Sequence, residues 1–407
     1  MTDPTPESWI IDPEGLRTLA DHLRAEARFA FDTEFVSEDT FEPVLCLVQV
    51  ATRDRLAVID PMAVGDMRPF WNVVNDPAIE VVMHAAGEDL RIDRFQTGRL
   101  PDRVVDVQLA AGMVGYPYPM SLGNLVDRIL GVTVSTGETR TDWRRRPLSP
   151  EQLRYALDDV RHLLVVADQL GDRLAKLGRT AWADQEYHAL VESISHRDDH
   201  SRWRRLPGLH HLNRRGLEIA RRLVDWRRDD ARRTNRPLRA VLKDDLLVGI
   251  AKRQPSSRRD LEALRDFNRH HLASKAGEIL DVITEAQRVA VEDLPEHSLR
   301  HDEGPGLSMV VSLLAATLNH CSAREQVAAS LVGTVADLKD LVRWHVQGEP
   351  EDRRPDLAQG WRGEVCGRAL MDVLSGRRTL RIVDPLADVP VALDDAPDDE
   401  PASPKGP

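Results

Sequence analysis

The sequence predicts an α/β domain with a mixed β-sheet flanked by helices, followed by two all-helical domains. Three apolar, strand-prone segments lie close together near the N-terminus. A short turn separates the second from the third, which indicates an antiparallel hairpin. Helical and strand patterns then alternate as far as about residue 190. Beyond about residue 195 the sequence pattern is helical throughout.

The strands of the first half are short and rich in β-branched and aromatic residues. Thr52, Arg53 and Asp54 form the turn of the hairpin. The predicted strands are FAFDTEF (29–35), LCLVQVA (45–51), RLAVID (55–60), VVMHA (81–85) and VVDV (104–107).

The helices of this half are recognised by their apolar periodicity and by their end signals. Ser121 is a good N-cap and Gly131 a good stop for one of them. Ser149 and Pro150 mark the start of another, which we predict as one continuous helix. The predicted helices cover about 66–75, 87–95, 108–115, 121–131 and 149–170.

The helical half divides at segments that contain proline and glycine. Pro237 and Pro255 break the first set of helices, and LPEHSLRHDEGPG separates it from the second set. The C-terminus is acidic and rich in proline, which predicts disorder. The predicted boundaries are an α/β domain over 1–195, a linker over 196–210, a helical domain over 211–292, a linker over 293–306, a second helical domain over 307–385 and a disordered tail over 386–407.

Composition restricts where the protein works. Cys46, Cys321 and Cys366 are widely spaced, which argues against a disulfide framework or a zinc site and favours the reducing cytoplasm. The N-terminus has no signal-peptide pattern, and no apolar run is long enough to cross a membrane. Nothing in the sequence requires a membrane or an obligatory protein partner.

The net charge of −12 hides a strongly basic segment. Residues 197–239 contain 14 arginines and six acids, a local balance of +8. Because a polyanion responds to the local field, this segment is a candidate surface for nucleic acid. Trp226 falls on the apolar stripe of the helix that carries many of these arginines, so we predict a core residue rather than a base-stacking platform.

Two acids interrupt the first buried strand. Asp32 and Glu34 are two positions apart, so both side chains point to the same face. Like charges repel there and burial is costly, so a cation is expected beside them. Asp89, at a strand-to-helix connection, and Asp159, in a helix, would bring further carboxylates to the same end of the sheet.

Four carboxylates suit two hard divalent cations, Mg²⁺ or Mn²⁺. Two such ions about 3.5–4 Å apart can clamp the attacking and leaving oxygens of a phosphodiester. Tyr155 lies one helical turn before Asp159, where it would orient the attacking water. A D-x-E triplet or a Y-x-x-x-D motif alone is common by chance. Their order, separation and element types together make the prediction specific.

The chain resembles a known superfamily through several stretches: FDTEF, HAAGEDL, DVQLAA, LCLVQVA and TRTDWRRRPLSPEQLRYALDDV. These are similar to the DEDD 3′–5′ exonucleases, in their tyrosine-bearing branch, and most closely to the ribonuclease D family. RPLRAVLKDDLLVGIAKRQP resembles the helicase-and-RNase-D C-terminal (HRDC) domain, a nucleic-acid-binding module. The resemblance spans about residues 9 to 385. It implies an RNase-H-like exonuclease core followed by two HRDC-type domains.

The resemblance also implies site residues. Arg154 stands where the histidine branch of the superfamily carries its histidine, which supports the tyrosine branch. Five residues are implied to be catalytic, and the four acids among them to bind two divalent ions: Asp32, Glu34, Asp89, Tyr155 and Asp159.

Neighbouring acids compete with these assignments. On spacing alone Glu88 is as well placed as Asp89, and only the resemblance selects Asp89. Asp158 would lie about 100° around the helix from Asp159, away from the face that Tyr155 shares.

Two further residues beside the motifs have structural interpretations that we favour. Asp106, at a strand end, is expected to cap the next helix, with support of the site as the alternative. His84 is expected to be a hydrogen-bonded core histidine.

Arg144, Arg145 and Arg146 precede the helix that carries Tyr155. They are either solvated arginines that follow a capping tryptophan, Trp143, or part of a loop that contacts phosphates of nucleic acid. The sequence leaves both interpretations open.

Together these features predict a metal-dependent 3′–5′ exoribonuclease that releases 5′-mononucleotides from single-stranded RNA ends. The resemblance implies 3′-end trimming of structured RNAs, tRNA precursors above all. The alternatives are a 3′–5′ DNA exonuclease in repair and a non-catalytic RNA-binding scaffold. We expect the helical domains to hold the folded RNA, while a chain ending near residue 195 suffices for hydrolysis.

Overall fold

A mixed six-stranded sheet organises the first half of the protein. The structure is a computed structural model that describes residues 7–134, 137, 141–195, 200–267, 270–296 and 306–396. The strands of the sheet are β1 (Glu7–Ile10), β2 (Arg28–Val36), β3 (Val44–Ala51), β4 (Leu56–Ile59), β5 (Glu80–Met83) and β6 (Val104–Asp106). Their order across the sheet is β1-β4-β3-β2-β5-β6.

The pairing of the strands confirms the predicted hairpin. Strand β3 is antiparallel to both of its neighbours, β2 and β4. The other three pairs, β1–β4, β2–β5 and β5–β6, are parallel. Strand β1 was not predicted, because its four residues are too few for an alternating pattern to stand out.

Helices cover both faces of the sheet, so the predicted α/β class is confirmed. One face is covered by α1 (Pro13–Glu26), α3 (Arg68–Val74) and α4 (Gly87–Thr97), around the fully buried Phe31 and Phe70. The other is covered by α5 (Val107–Met113), α6 (Leu122–Leu130), α7 (Pro150–Arg161), α8 (Leu163–Lys176) and α9 (Thr180–Ser195). A single turn, α2 (Pro61–Val64), follows β4.

The predicted end signals at Ser121, Gly131 and Ser149 are confirmed, but one predicted helix is in fact two helices. Ser121 and Gly131 bound α6, and Ser149 caps α7 in a capping box with Gln152. The continuous helix predicted over 149–170 is interrupted at His162, so α7 lies over β2, β3 and β4 while α8 packs on α5 and β5. No proline or glycine marks this break, and the apolar periodicity continues across it.

The first helical domain has a hydrophobic core of its own. Helices end at the predicted breaks near Pro237 and Pro255. Residues predicted as linker belong to the domain, because Trp203, in the 3₁₀-helix His200–Arg205, is buried in its core. The helices are α10 (Arg214–Thr234), α11 (Leu238–Val241), α12 (Asp244–Arg253), α13 (Arg258–Glu262), α14 (His270–Ala273) and α15 (Ala276–Gln287).

A side-chain clamp holds this domain to the β2–β3 loop. Asn235 ends α10 in the left-handed conformation, with φ of 44°. Its Oδ1 accepts hydrogen bonds from the backbone N–H groups of Phe41 (3.1 Å) and Glu42 (3.0 Å). The Arg232 guanidinium lies over the Phe41 ring, 5.8 Å from its centroid. The loop that follows the Asp32 strand is therefore tied to the helical domain.

The second helical domain continues the core of the first half. Its helices are α16 (Leu307–Glu325), α17 (Ala329–Val332), α18 (Val335–Val346), α19 (Gly360–Arg362) and α20 (Arg368–Leu374), with a π-helical turn at Gly363–Gly367. Apolar side chains from these helices and from α5, α8 and α9 form one continuous cluster.

Backbone contacts seal this shared core. The Ala328 N–H donates to the Gly112 carbonyl at 2.9 Å. A Cβ atom on Gly112 would lie only 3.0 Å from Leu331 Cδ2, so glycine permits the close approach. A chain that ends near residue 195 would expose this cluster to water. The expectation that a chain ending near residue 195 suffices for hydrolysis stays a prediction, and this exposure is what it would have to tolerate.

The predicted disordered tail is wrong in its first part. Strands β7 (Arg378–Ile382) and β8 (Val391–Asp395) form an antiparallel hairpin. Leu393 packs against the shared core, and Arg381 donates to Asp394 at 2.6 Å. The acidic and proline-rich composition concealed these cross-strand partners. Residues 397–407, the rest of the predicted tail, lie outside the described residues.

Two expectations from composition are testable in the described residues. Cys46, Cys321 and Cys366 are free and buried. Across the described ranges, no helix combines the length and the apolar character needed to cross a membrane.

Candidate active site

The carboxylates of Asp32, Glu34 and Asp159 converge on one face of the sheet. Each contributes an oxygen to a group in which all such atoms lie within 4.8 Å of one another. Asp32 and Glu34 share a face of β2 because strand side chains alternate. Asp159 reaches them from α7, which lies over that face. The register of β2 shifts directly after Glu34, and an irregularity of this kind can re-aim a side chain next to a site.

Asp89 completes the acidic cluster from the first turn of α4. It is buried, and its Oδ1 accepts hydrogen bonds from the Thr33 N–H (2.9 Å) and Oγ1 (2.6 Å). The charge of Asp89 acts on the other three acids. Glu88, its rival by spacing, instead forms an ion pair with Arg91 on the surface. Of the two neighbouring acids, Asp89 is therefore the one whose charge acts on the other three, and its assignment as a metal ligand stays a prediction.

Tyr155 lies beside Asp159 on the same face of α7. Its hydroxyl group donates a hydrogen bond to the Asp159 carboxylate. The Tyr155 ring lies 6.2 Å, centroid to centroid, from the buried ring of Trp143. Asp158 accepts from Arg161 at 3.3 Å, although its charge also helps to raise the pKa of Asp159. Asp32, Glu34 and Asp159 therefore form one group, and Tyr155 is bonded to it through Asp159. Asp89 lies outside this group of closely spaced oxygens, but its charge acts on all three acids.

Burial and mutual repulsion raise the pKa values of the cluster. Burial, and then the charges of Asp89 and Asp159, raise the pKa of Asp32 well above its usual range. Burial also raises the pKa of Glu34 to about 8 and the pKa of Asp159 to about 7. A cluster whose members resist ionisation in this way is suited to cations, because bound cations would remove the repulsion.

We expect the stability of the metal-free protein to fall as the pH rises. A carboxyl group whose pKa is higher in the folded than in the unfolded chain binds protons more tightly when folded. The free energy of unfolding therefore decreases as pH rises from about 4, the unfolded value, through the folded values near 7 to 8. Thermal unfolding in EDTA across this pH range measures the effect.

The Glu34→Gln variant provides the control for this prediction. It removes one of the raised groups, so its thermal midpoint should fall less steeply with pH than that of the parent. Mn²⁺ should raise the parent midpoint more at pH 8 than at pH 6, since the cations compete with protons. An identical pH slope in the parent and in Glu34→Gln would contradict the prediction.

Asp106 and His84 support the turn that leads to Asp89. Asp106 caps α5 as expected, and its carboxylate also accepts from the N–H groups of Ala85 (3.1 Å) and Ala86 (3.0 Å). Ala85 has a left-handed φ of 55°, so these hydrogen bonds hold a strained turn. The partly buried His84 ring contacts the Met120 carbonyl at 2.9 Å, so the expected hydrogen bond is present, and burial lowers its pKa.

The three arginines before α7 have different surroundings. Arg146 is anchored inside the domain: its guanidinium donates to both Asp60 oxygens, at 2.5 and 2.9 Å, and to the Cys46 carbonyl at 2.8 Å. These partners, which sequence spacing does not reveal, argue against its prediction as a nucleic-acid contact.

Arg144 and Arg145 remain candidates for nucleic-acid contact. Arg144 lies between Asp142 and Asp39, at 2.9 and 3.6 Å. The Arg145 side chain is 83% exposed and reaches Asp142 only at 3.8 Å. Of the three arginines, Arg145 is the most accessible to a phosphate.

Many arginines of the basic segment are paired within the first helical domain. Glu218, which is buried, accepts from Arg221 and Arg222 at 2.6 Å, and Arg227 donates to Asp244 at 2.5 Å. The local excess of positive charge therefore overstates what reaches the surface. Trp226 is partly buried against the domain core, not inside it, and donates to Glu278 at 3.0 Å.

Sequence reasoning missed Gln49, which lies opposite Asp32 on β3. The available signal was its place as the one strongly polar side chain in LCLVQVA (45–51).

Relatives of this chain agree on its family. A family model described as 3′–5′ exonuclease matches residues 8–175, and an HRDC domain model matches residues 216–283. A model of the ribonuclease D C-terminal HRDC domain matches residues 305–370. Ribonuclease D of Gluconacetobacter diazotrophicus is 35% identical over 377 residues, 92% of this chain and 94% of the relative. This chain belongs to the ribonuclease D family.

Further members of the ribonuclease D family show the same extent of similarity. Ribonuclease D of Granulibacter bethesdensis is 34% identical, over 92% of this chain and 94% of the relative. The crystal structure of Escherichia coli RNase D, described as an exoribonuclease involved in structured RNA processing, matches with a TM-score of 0.79. It is 28% identical and covers 91% of this chain and 99% of that chain. The predicted family, fold and enzyme class, a 3′–5′ exoribonuclease, are confirmed.

Proposed function

We propose that this enzyme trims single-stranded 3′ ends of structured RNAs, such as tRNA precursors, and releases 5′-mononucleotides. The observation that carries the proposal is the convergence of Asp32, Glu34 and Asp159 within 4.8 Å, with Asp89 beside them. Oxygen ligands at this density fit hard divalent cations, Mg²⁺ or Mn²⁺. In this proposal the four acids hold two such ions.

The residues of the site have separate tasks in this proposal. Bound divalent ions supply Lewis acidity and neutralise the charge of the phosphodiester. Asp32 and Glu34 present their carboxylates from a strand of the central sheet, which limits their movement. Tyr155, already hydrogen-bonded to Asp159, offers a hydroxyl group that orients the attacking water.

The arrangement of domains supports a structured RNA as substrate. The relatives are named ribonuclease D, and the E. coli enzyme is described as acting in structured RNA processing. The first helical domain has its own core and is tied to the β2–β3 loop through Asn235. We propose that it holds the folded part of the RNA while the single-stranded end enters the site. Flexible single strands suit a site that must separate the terminal nucleotide from its neighbours.

Matched substrates test the proposal. A hairpin RNA with a single-stranded 3′ extension and a 5′ label should be shortened one nucleotide at a time when Mn²⁺ or Mg²⁺ is present. The released nucleotides should carry a 5′ phosphate. A DNA hairpin of the same sequence serves as the comparison, and Asp159→Asn, prepared in parallel, controls for contaminating nucleases.

Other outcomes would support the alternatives. Faster shortening of the DNA would favour a repair exonuclease. Tight RNA binding without any shortening, in either metal, would favour a scaffold role and overturn the proposal.

A further inference from the structure

Gln49 is a fully buried amide in the middle of β3, directly opposite Asp32. Its exposed fraction is 0%, and its Cα is paired with that of Asp32 in the antiparallel β2–β3 register. Directly opposed residues of an antiparallel pair share a face, so the Gln49 side chain lies on the face that carries the acids. Its Nε2 approaches Asp32 Oδ2 at 3.4 Å and is oriented to donate to it.

Packing alone does not account for a glutamine at this position. Gln49 Oε1 is buried and has no hydrogen-bond partner among the residues that the structure describes. A buried hydrogen-bond acceptor without a partner destabilises the folded protein by about 1–3 kcal/mol. The neighbours of Gln49 on the same face of the strand, Leu47 and Ala51, are buried and apolar. A methionine has a similar length and would fill the space without that cost.

The negative charge of the ionised Asp32 carboxylate decides which end of the Gln49 amide faces it. If the amide were turned around, Oε1 would face the carboxylate, and the two oxygens would repel once Asp32 is ionised. The ionised, cation-binding form of Asp32 therefore selects Nε2 as the facing group. The amide carries no net charge, so it holds the carboxylate without the electrostatic competition against a cation that an arginine or lysine would introduce.

We propose that Gln49 is a positioning residue: its Nε2 holds Asp32 Oδ2 so that the carboxylate presents its other oxygen to a divalent cation. This inference rests on the proposed function, because it assigns a role toward the ions that the four acids would bind. Residues that hydrogen-bond to metal ligands commonly contribute about 10–100-fold to metal affinity. We expect a contribution of that size from Gln49.

The Gln49→Met variant of the full-length protein tests the inference without relying on activity alone. Mn²⁺ binding is measured in the absence of RNA, from the electron paramagnetic resonance signal of unbound Mn²⁺. We expect the affinity of the variant to be about 10–100-fold lower than that of the parent. The Mn²⁺ concentration for half-maximal turnover should rise by the same factor, with turnover at saturating Mn²⁺ close to that of the parent. The thermal midpoint in EDTA should be unchanged or higher.

The Val48→Ala variant is the matched control for general destabilisation. Val48 is the adjacent residue of β3, is fully buried and packs on the opposite face of the sheet. This variant should be less stable in EDTA, yet bind Mn²⁺ like the parent. The inference is overturned if Gln49→Met binds Mn²⁺ as tightly as the parent, or if Val48→Ala loses as much affinity.

The same measurements separate this inference from the function on which it rests. A parent protein that neither binds Mn²⁺ nor shortens RNA would overturn both. If the parent binds Mn²⁺ and shortens RNA, and Gln49→Met binds Mn²⁺ with the same affinity, only the role of Gln49 is overturned.

Discussion

Replacing Asp32 or Asp159 by asparagine is expected to abolish turnover of RNA while leaving RNA binding intact. Each substitution keeps the size of the side chain and removes one carboxylate from the group gathered within 4.8 Å. Loss of a metal ligand removes several kcal/mol of transition-state stabilisation, and each 1.4 kcal/mol is about tenfold in rate. We therefore expect a loss of about a thousandfold or more, measured in single-turnover hydrolysis of a labelled RNA.

Asp158→Asn and Glu88→Gln are the matched controls for this prediction. Each removes an acid adjacent in sequence to a proposed ligand, but both side chains form ion pairs with arginines instead, Arg161 and Arg91. Both variants should keep turnover within a few-fold of the parent. Asp32→Asn should also have a higher thermal midpoint in EDTA, because it removes a buried charge that its neighbours repel. A parental rate in Asp32→Asn would show that the site lies elsewhere.

Replacing Trp361 by alanine is expected to separate the second helical domain from the exonuclease core. Trp361 is 2% exposed, and its ring stacks on Trp182 of α9 with centroids 5.7 Å apart. Its Nε1 donates to Glu186 at 2.9 Å, and Arg362 binds the same carboxylate through two hydrogen bonds of 2.5 and 2.9 Å. Truncating a buried tryptophan costs about 3–5 kcal/mol.

Two measurements reveal this separation. Urea unfolding should show a lower midpoint for Trp361→Ala, and limited proteolysis should release the second helical domain. Trp9→Ala is the control, because Trp9 is 39% exposed on edge strand β1 and its loss should have little effect. An unchanged midpoint in Trp361→Ala would mean that the shared cluster does not depend on this contact.

The contacts of this interface join residues far apart in the chain, and for that reason the sequence predicted an independent exonuclease domain. Arg179 is buried and donates to the carbonyls of Met113, at 2.9 Å, and Gln326, at 3.2 Å. Met113 and Gln326 are more than 200 residues apart in sequence. Nothing in the local pattern around Arg179 distinguishes such a bridging arginine from a solvated one, so the sequence alone indicated two independent domains.

The sequence also could not show which arginines near the site have ion-pair partners. Arg146 looked available for phosphates because its sequence neighbours are arginines, yet its partner Asp60 lies 86 residues earlier. The arginines of α10 looked available for nucleic acid, but partners such as Asp244 and Glu218 occupy several of them. Ion pairs depend on distances that only the folded chain defines, so composition overestimated the exposed positive charge.

What the sequence determined by itself follows from short-range geometry. The alternation of a strand puts Asp32 and Glu34 on one face, and the 3.6-residue repeat puts Tyr155 and Asp159 on one face of α7. These relations, like the order of helices and strands, need no knowledge of distant residues. The tertiary structure decided which acids meet, that Gln49 lies against Asp32, and that the second helical domain completes the exonuclease core. Each of these depends on contacts between residues far apart in the chain, which local periodicity does not encode.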